Sequence, residues 1–80
     1  MRDDSVYLHH MVDAIRAIAK YIEGVDAEEF RANDMMQDAV VRQISIIGEA
    51  AKRVSAETRS EYPDVPWRDM AGMRDKLVHD

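Results

Sequence analysis

Between Tyr7 and Ile22 apolar side chains return every three or four residues, and no other feature constrains the fold as much. At about 100° per residue, Leu8, Met11, Val12, Ile15, Ile18, Ala19 and Ile22 share one face, flanked by Tyr7, Ala14 and Tyr21. His9, Asp13, Arg16, Lys20 and Glu23 occupy the other face. A strand would alternate with period two, so this segment is an amphipathic helix. Asp3, Asp4 and Ser5 offer N-cap chemistry, and Gly24 offers a stop, which predicts a helix reaching about Glu23.

The same period returns downstream. Residues 25–32 read as a connector in which Asp26 caps one or two turns at Ala27–Arg31, tucking Phe30 under the bundle. Asn33 or Asp34 then caps a second long helix running to about Ser55. Its apolar residues Ala39, Val40, Ile44, Ile46, Ile47, Ala50, Ala51 and Val54 fill an arc of about 160°, wide enough for two neighbours. Gly48 at the edge of that arc permits close helix approach. Glu49 with Arg53, and Asp38 with Arg42, have the spacing of ion pairs on a solvated stripe. Gln43 sits inside the arc, where its amide needs a partner or costs roughly 1–3 kcal/mol. Glu57–Glu61 reads as a short helical turn. The two prolines of Tyr62-Pro63-Asp64-Val65-Pro66-Trp67 make a rigid connection, with Pro66 at the first position of a third helix and Trp67 anchored on the core.

Eighty residues make one domain at most, and a lone core of that size is marginal. There is no cysteine to form a disulfide or a thiolate metal site, so association is the remaining route to more burial. No apolar run approaches membrane length, and the start Met1-Arg2-Asp3-Asp4 is unlike a secretory signal, which points to the cytoplasm. A net charge of -5 argues against sequence-independent binding to a nucleic-acid backbone. His9 and His10 are adjacent on a helix and diverge, and no metal set or cofactor motif is present. His10 is expected near the apolar boundary beside Tyr21. The six methionines read as core or edge filler.

The third helix, Trp67 to Asp80, carries the chemistry. Trp67, Met70, Ala71, Met73, Leu77 and Val78 form its apolar arc, and Arg74 falls in the centre. A guanidinium there needs a partner or a cleft. His79 follows five residues later, about 140° around the helix, so a second copy across a two-fold axis would help the two groups converge. Asp75, one turn before His79, can accept from its ring and set the tautomer. An arginine that stabilises phosphate charge and a histidine that moves protons form the smallest metal-free set for cutting RNA.

The runs Gln37–Gln43, Ile46-Ile47-Gly48-Glu49-Ala50-Ala51, Tyr62-Pro63, Pro66-Trp67, Gly72-Met73-Arg74-Asp75 and Leu77-Val78-His79 together resemble the HepT-like toxins of the HEPN superfamily. Tyr7-Leu8 and Tyr21-Ile22-Glu23-Gly24 match as well, so the resemblance covers essentially the whole chain. It implies an all-α, up-and-down helical bundle, homodimeric, with the R-x4-H motifs of both subunits lining one cleft. It also implies a metal-independent ribonuclease toxin partnered by a minimal nucleotidyltransferase antitoxin. On this chain Arg74 and His79 match the motif arginine and histidine, and Asp75 the polar position between them. The family continues with a tyrosine two residues past the histidine and a further helix, whereas this sequence ends at Asp80. The expectation is therefore a single HEPN-like domain over residues 1–80, incomplete at its C-terminus, with three main helices, a fourth expected, and no modifiable tyrosine at that position.

Two functions follow from this reading. The first is an endoribonuclease in which Arg74 and His79 act on RNA, with Asp75 and Gln43 in support. The alternative is a non-catalytic helical module that binds a nucleotidyltransferase or a nucleotide, which the acidic balance favours. A helical scaffold with Arg74 paired internally is a duller third.

Overall fold

The computed structural model describes residues 3–79, with side chains described for residues 3–73. Five helices follow one another: α1 (Ser5–Tyr21), α2 (Ala27–Arg31), α3 (Asp34–Arg53), α4 (Ala56–Glu61) and α5 (Trp67–His79). No strand occurs among the described residues. The all-α expectation holds, with three long helices and two short ones. None of these helices is long and apolar enough to cross a membrane.

Local chemistry places most of the boundaries. The Asp26 carboxylate accepts from Glu29 N at 2.8 Å and starts α2, while the Asn33 amide oxygen accepts from Met36 N at 3.0 Å and starts α3. Ser55 does the same for α4, its hydroxyl accepting from Thr58 N at 3.2 Å. At the other ends, Gln37 Nε2 donates to the carbonyls of Phe30 and Arg31 at 2.9 Å, and Arg59 Nε to that of Val54 at 3.1 Å. These side chains satisfy the carbonyls that a helix leaves open at its C-terminus. Asn33→Ala is expected to cost about 1 kcal/mol, read as a lower urea midpoint with an unchanged slope.

α1 ends at Tyr21, two residues before the expected Glu23. The chain turns instead through a hydrogen bond from Val25 N to the Ile22 carbonyl at 3.0 Å. Gly24 takes φ +72° there, a conformation that L side chains rarely adopt.

α3 is the centre of the molecule. α1 packs along one flank of it and α5 along another, and these are the two dominant helix contacts of the structure. Tyr7 and His10, near the start of α1, lie against Glu49 and Arg53 near the end of α3, so the two run antiparallel. Trp67 and Met70 at the start of α5 pack on the core that ends in Val54. α5 therefore runs back along α3, and the up-and-down order follows.

The core is Met11, Ala14, Ile47, Ala50, Ala51 and Val54, with Tyr7, Leu8, Ile18, Ile46, Trp67 and Met70 packed around it. Three alanines at the α1–α3 contact let the backbones come close. Gly48 is also buried in α3.

The buried face of α1 is rotated from the expected one. Met11 and Ala14 are inside, whereas Val12, Ile15 and Ile22 are 42%, 53% and 41% exposed. The apolar arc is real, but α3 covers only its Ala14 side. The surface of the chain is 6077 Å², against about 4,900 Å² for a compact monomer of this mass. Two long helices on a central one leave apolar surface uncovered. Phe30 lines a shallow apolar hollow with Ile18, Ile22, Val25 and Val40 instead of closing the core. Met35 lies 84% exposed, so of the methionines Met11 is core filler and Met35 is not.

Candidate active site

The helix that carries the R-x4-H pair is held at its start. Trp67 N donates to the Val65 carbonyl at 2.8 Å, and Met70 N to that of Pro66 at 3.0 Å. The indole Nε1 of Trp67 donates to the Tyr62 carbonyl at 3.0 Å, which closes the proline-bounded connector on itself. With the ring packed on the core, this is the loop anchor expected of Trp67. Pro66 stands just before α5 and not at its first position.

α5 continues through Arg74, Asp75 and His79 as an unbroken helix, and Gly72 does not interrupt it. The side chains of these three lie outside the described residues. On a regular helix, Arg74 is four positions from Met70 and seven from Trp67, the two residues that pack on the core. His79 is about 140° away and roughly 7.5 Å further along the axis.

Gln43 is half-buried in the middle of α3. α5 runs back along α3, the helix that carries Gln43.

A second group of polar side chains lies between α1 and α3. Tyr7, His10, Glu49 and Arg53 rim a cleft of about 370 Å³ floored by Ile46 and Ala50. The Arg53 guanidinium donates to Glu49 Oε1 at 3.2 Å, as the spacing predicts. That hydrogen bond, and then the neighbouring Tyr7, raises the Arg53 pKa above its ordinary value. Asp38 and Arg42 form no such pair. Exposed on a solvated stripe, they gain little from meeting. His10 lines this cleft beside Tyr7 and not beside Tyr21, which lies further along with Asn33, Met35 and Met36. His9 is exposed, its Nδ1 2.8 Å from the Ser5 carbonyl oxygen, so the two histidines diverge as expected. No group of three or more His, Asp or Glu side chains gathers as a metal site among the described residues.

Sequence reasoning missed the role of Asp4. Its place before α1 suggests a cap for that helix, but no side-chain cap bond forms there. Its carboxylate turns instead to Ser55 and Thr58, more than fifty residues away. A signal was present in the surplus of three cap-type residues in a row at the start of α1, only one of which a single helix can use.

Residues 11–80 match the profile of the family described as ribonuclease HepT-like. The chain belongs to that family. Among curated relatives of this HepT-like chain is a "Gamma-glutamylcyclotransferase and putative RNase" of Methanocaldococcus jannaschii, 39% identical over 96% of this chain and 35% of that protein. A "Putative RNase" of Caldanaerobacter subterraneus is 36% identical over the whole of this chain and 71% of its own length. The "Probable ribonuclease HepT" of Thermococcus cleftensis is 38% identical over 98% of this chain and 71% of its own. This HepT-like chain thus spans from about a third to just over 70% of the length of these relatives. No solved structure matches it significantly.

Proposed function

We propose that this HepT-like chain carries the catalytic helix of a metal-independent endoribonuclease that works as a homodimer. The observation that carries the reading is the Arg74–His79 pair on α5, in a chain similar over nearly its whole length to relatives described as ribonucleases. His79 of one subunit takes the proton from a ribose 2′-hydroxyl, and the 2′-oxygen attacks the adjacent phosphorus. Arg74 stabilises the charge on the pentacoordinate phosphorane. A second histidine, from the twin motif, protonates the departing 5′-oxygen. The products are a 2′,3′-cyclic phosphate and a free 5′-hydroxyl. Asp75 holds the imidazole tautomer, and Gln43 orients the site from α3.

Val12, Ile15 and Ile22 of α1 lie 42%, 53% and 41% exposed, apolar surface that a twin subunit could cover. Within the cytoplasm the enzyme acts as a toxin, restrained by a nucleotidyltransferase antitoxin. No bound metal is required, so cleavage is expected to persist in EDTA and to leave cyclic phosphate ends, read by end-group analysis of a defined RNA. Metal-dependent cleavage, or 5′-phosphate ends, would remove this mechanism.

The net charge of -5 favours a second reading, a non-catalytic helical module bound to the nucleotidyltransferase. A stable complex without any RNA cleavage distinguishes it.

A further inference from the structure

Asp4 is the single buried charged side chain among the described residues, 6% exposed. One of its carboxylate oxygens, Oδ2, accepts three hydrogen bonds from the start of α4. The Ser55 hydroxyl donates at 2.6 Å, the Thr58 hydroxyl at 2.5 Å and Ser55 N at 3.2 Å. Ser55 is at the same time the N-cap of α4. A carboxylate from the first turn of the molecule thus holds both hydroxyls that organise the first turn of another helix. Hydrogen bonds to an ionised acceptor are short and about twice as strong as neutral ones, and burial strengthens them further.

α4 stands directly before the motif helix. Its last residue is Glu61, and the Tyr62 carbonyl at its C-cap accepts from the Trp67 indole that begins α5. Between them lie two prolines with fixed φ, so little slack separates the end of α4 from the start of α5. α4 buries no residue of its own, so packing alone does not hold it.

We infer that Asp4 is a positioning residue for the motif helix: its carboxylate fixes the first turn of α4, and the rigid connector passes that placement to the start of α5. The enzymatic arm of the test rests on the ribonuclease reading, whereas the structural arm does not.

The structural arm compares the unaltered chain with Asp4→Ala, Asp4→Asn and Thr58→Val by hydrogen exchange and by the fluorescence of Trp67, the single tryptophan. In Asp4→Ala, amides over residues 56–70 are expected to exchange about ten-fold faster or more, with α1 and α3 within about two-fold of the unaltered chain. Trp67 emission is expected to shift to the red. Asp4→Asn keeps one acceptor oxygen and is expected to restore part of the protection. Thr58→Val removes one donor without removing bulk and is expected to act in the same direction, so the inference stays testable if Asp4→Ala does not fold.

In the enzymatic arm, kcat for RNA cleavage falls in Asp4→Ala while KM holds, with partial recovery in Asp4→Asn. Exchange that rises equally in all helices, or rises nowhere, overturns the inference. So does local loosening that leaves Trp67 emission or kcat unmoved. If the unaltered chain cuts no RNA, the ribonuclease reading fails, and exchange with Trp67 emission still decides the role of Asp4.

Discussion

Replacing His79 by alanine is expected to slow RNA cleavage by about 10²–10⁴-fold, the usual worth of a positioned proton-transfer group. On the proposed mechanism the loss should appear in kcat, because an imidazole that acts on a proton in flight contributes little to holding the strand. On the same mechanism Arg74→Ala is expected to cost about 10²–10³-fold, the worth of a group that meets charge developing only as the phosphorane forms. Lysine at position 74 should recover only part of this, because a point charge cannot grip two phosphate oxygens at once. Neither change should unfold the chain. The anchors of α5 are Trp67 and Met70, seven and four residues before Arg74, and their bonds to Tyr62, Val65 and Pro66 are untouched. Far-UV circular dichroism of the variants should therefore overlay that of the parent. Equal cleavage rates for the parent and His79→Ala would take His79 out of the mechanism.

Ile47→Ala is expected to destabilise the fold by about 2–5 kcal/mol. Ile47 is 7% exposed in α3 and packs with Met11, Ala14, Ala50, Ala51 and Val54. A chain of this size has on the order of 4–12 kcal/mol in total, so one such cavity removes a large share. In thermal melts the midpoint should fall on the order of 10–30 °C. Ile15→Ala supplies the contrast. The same chemistry at a site 53% exposed should stay within about 0.5 kcal/mol. The apolar period of α1 would have placed Ile15 in the core, so equal losses at the two positions would favour the wheel over the structure.

That contrast shows what a sequence of this kind reveals. The helices and their starts are legible because their causes are local. Asp26, Asn33 and Ser55 each cap the backbone three residues on, and the prolines around Trp67 break the chain where they stand. The side of α1 that faces inward is not legible, because it depends on how many neighbours the helix meets. Two flanking helices would have buried Val12 and Ile15, but α3 alone buries Met11 and Ala14. Contacts that join distant segments were hidden for the same reason. No local pattern pairs Asp4 with Thr58, or Tyr7 with Arg53. Of the candidate site, the helix that carries Arg74, Asp75 and His79 was readable from its apolar spacing. The half-buried depth of Gln43 needed the helices to be packed.

The central position of α3 has a consequence for how this protein responds to change. The two outer helices meet it on different flanks, and the Asp4 bonds to Ser55 and Thr58 are the separate tie between the first turn of the chain and the segment leading to α5. Substitutions on the outer faces of α1 and α5 therefore perturb separate neighbourhoods, and their effects on stability should sum. A change within α3 offers no such independence, because both outer helices register it at once.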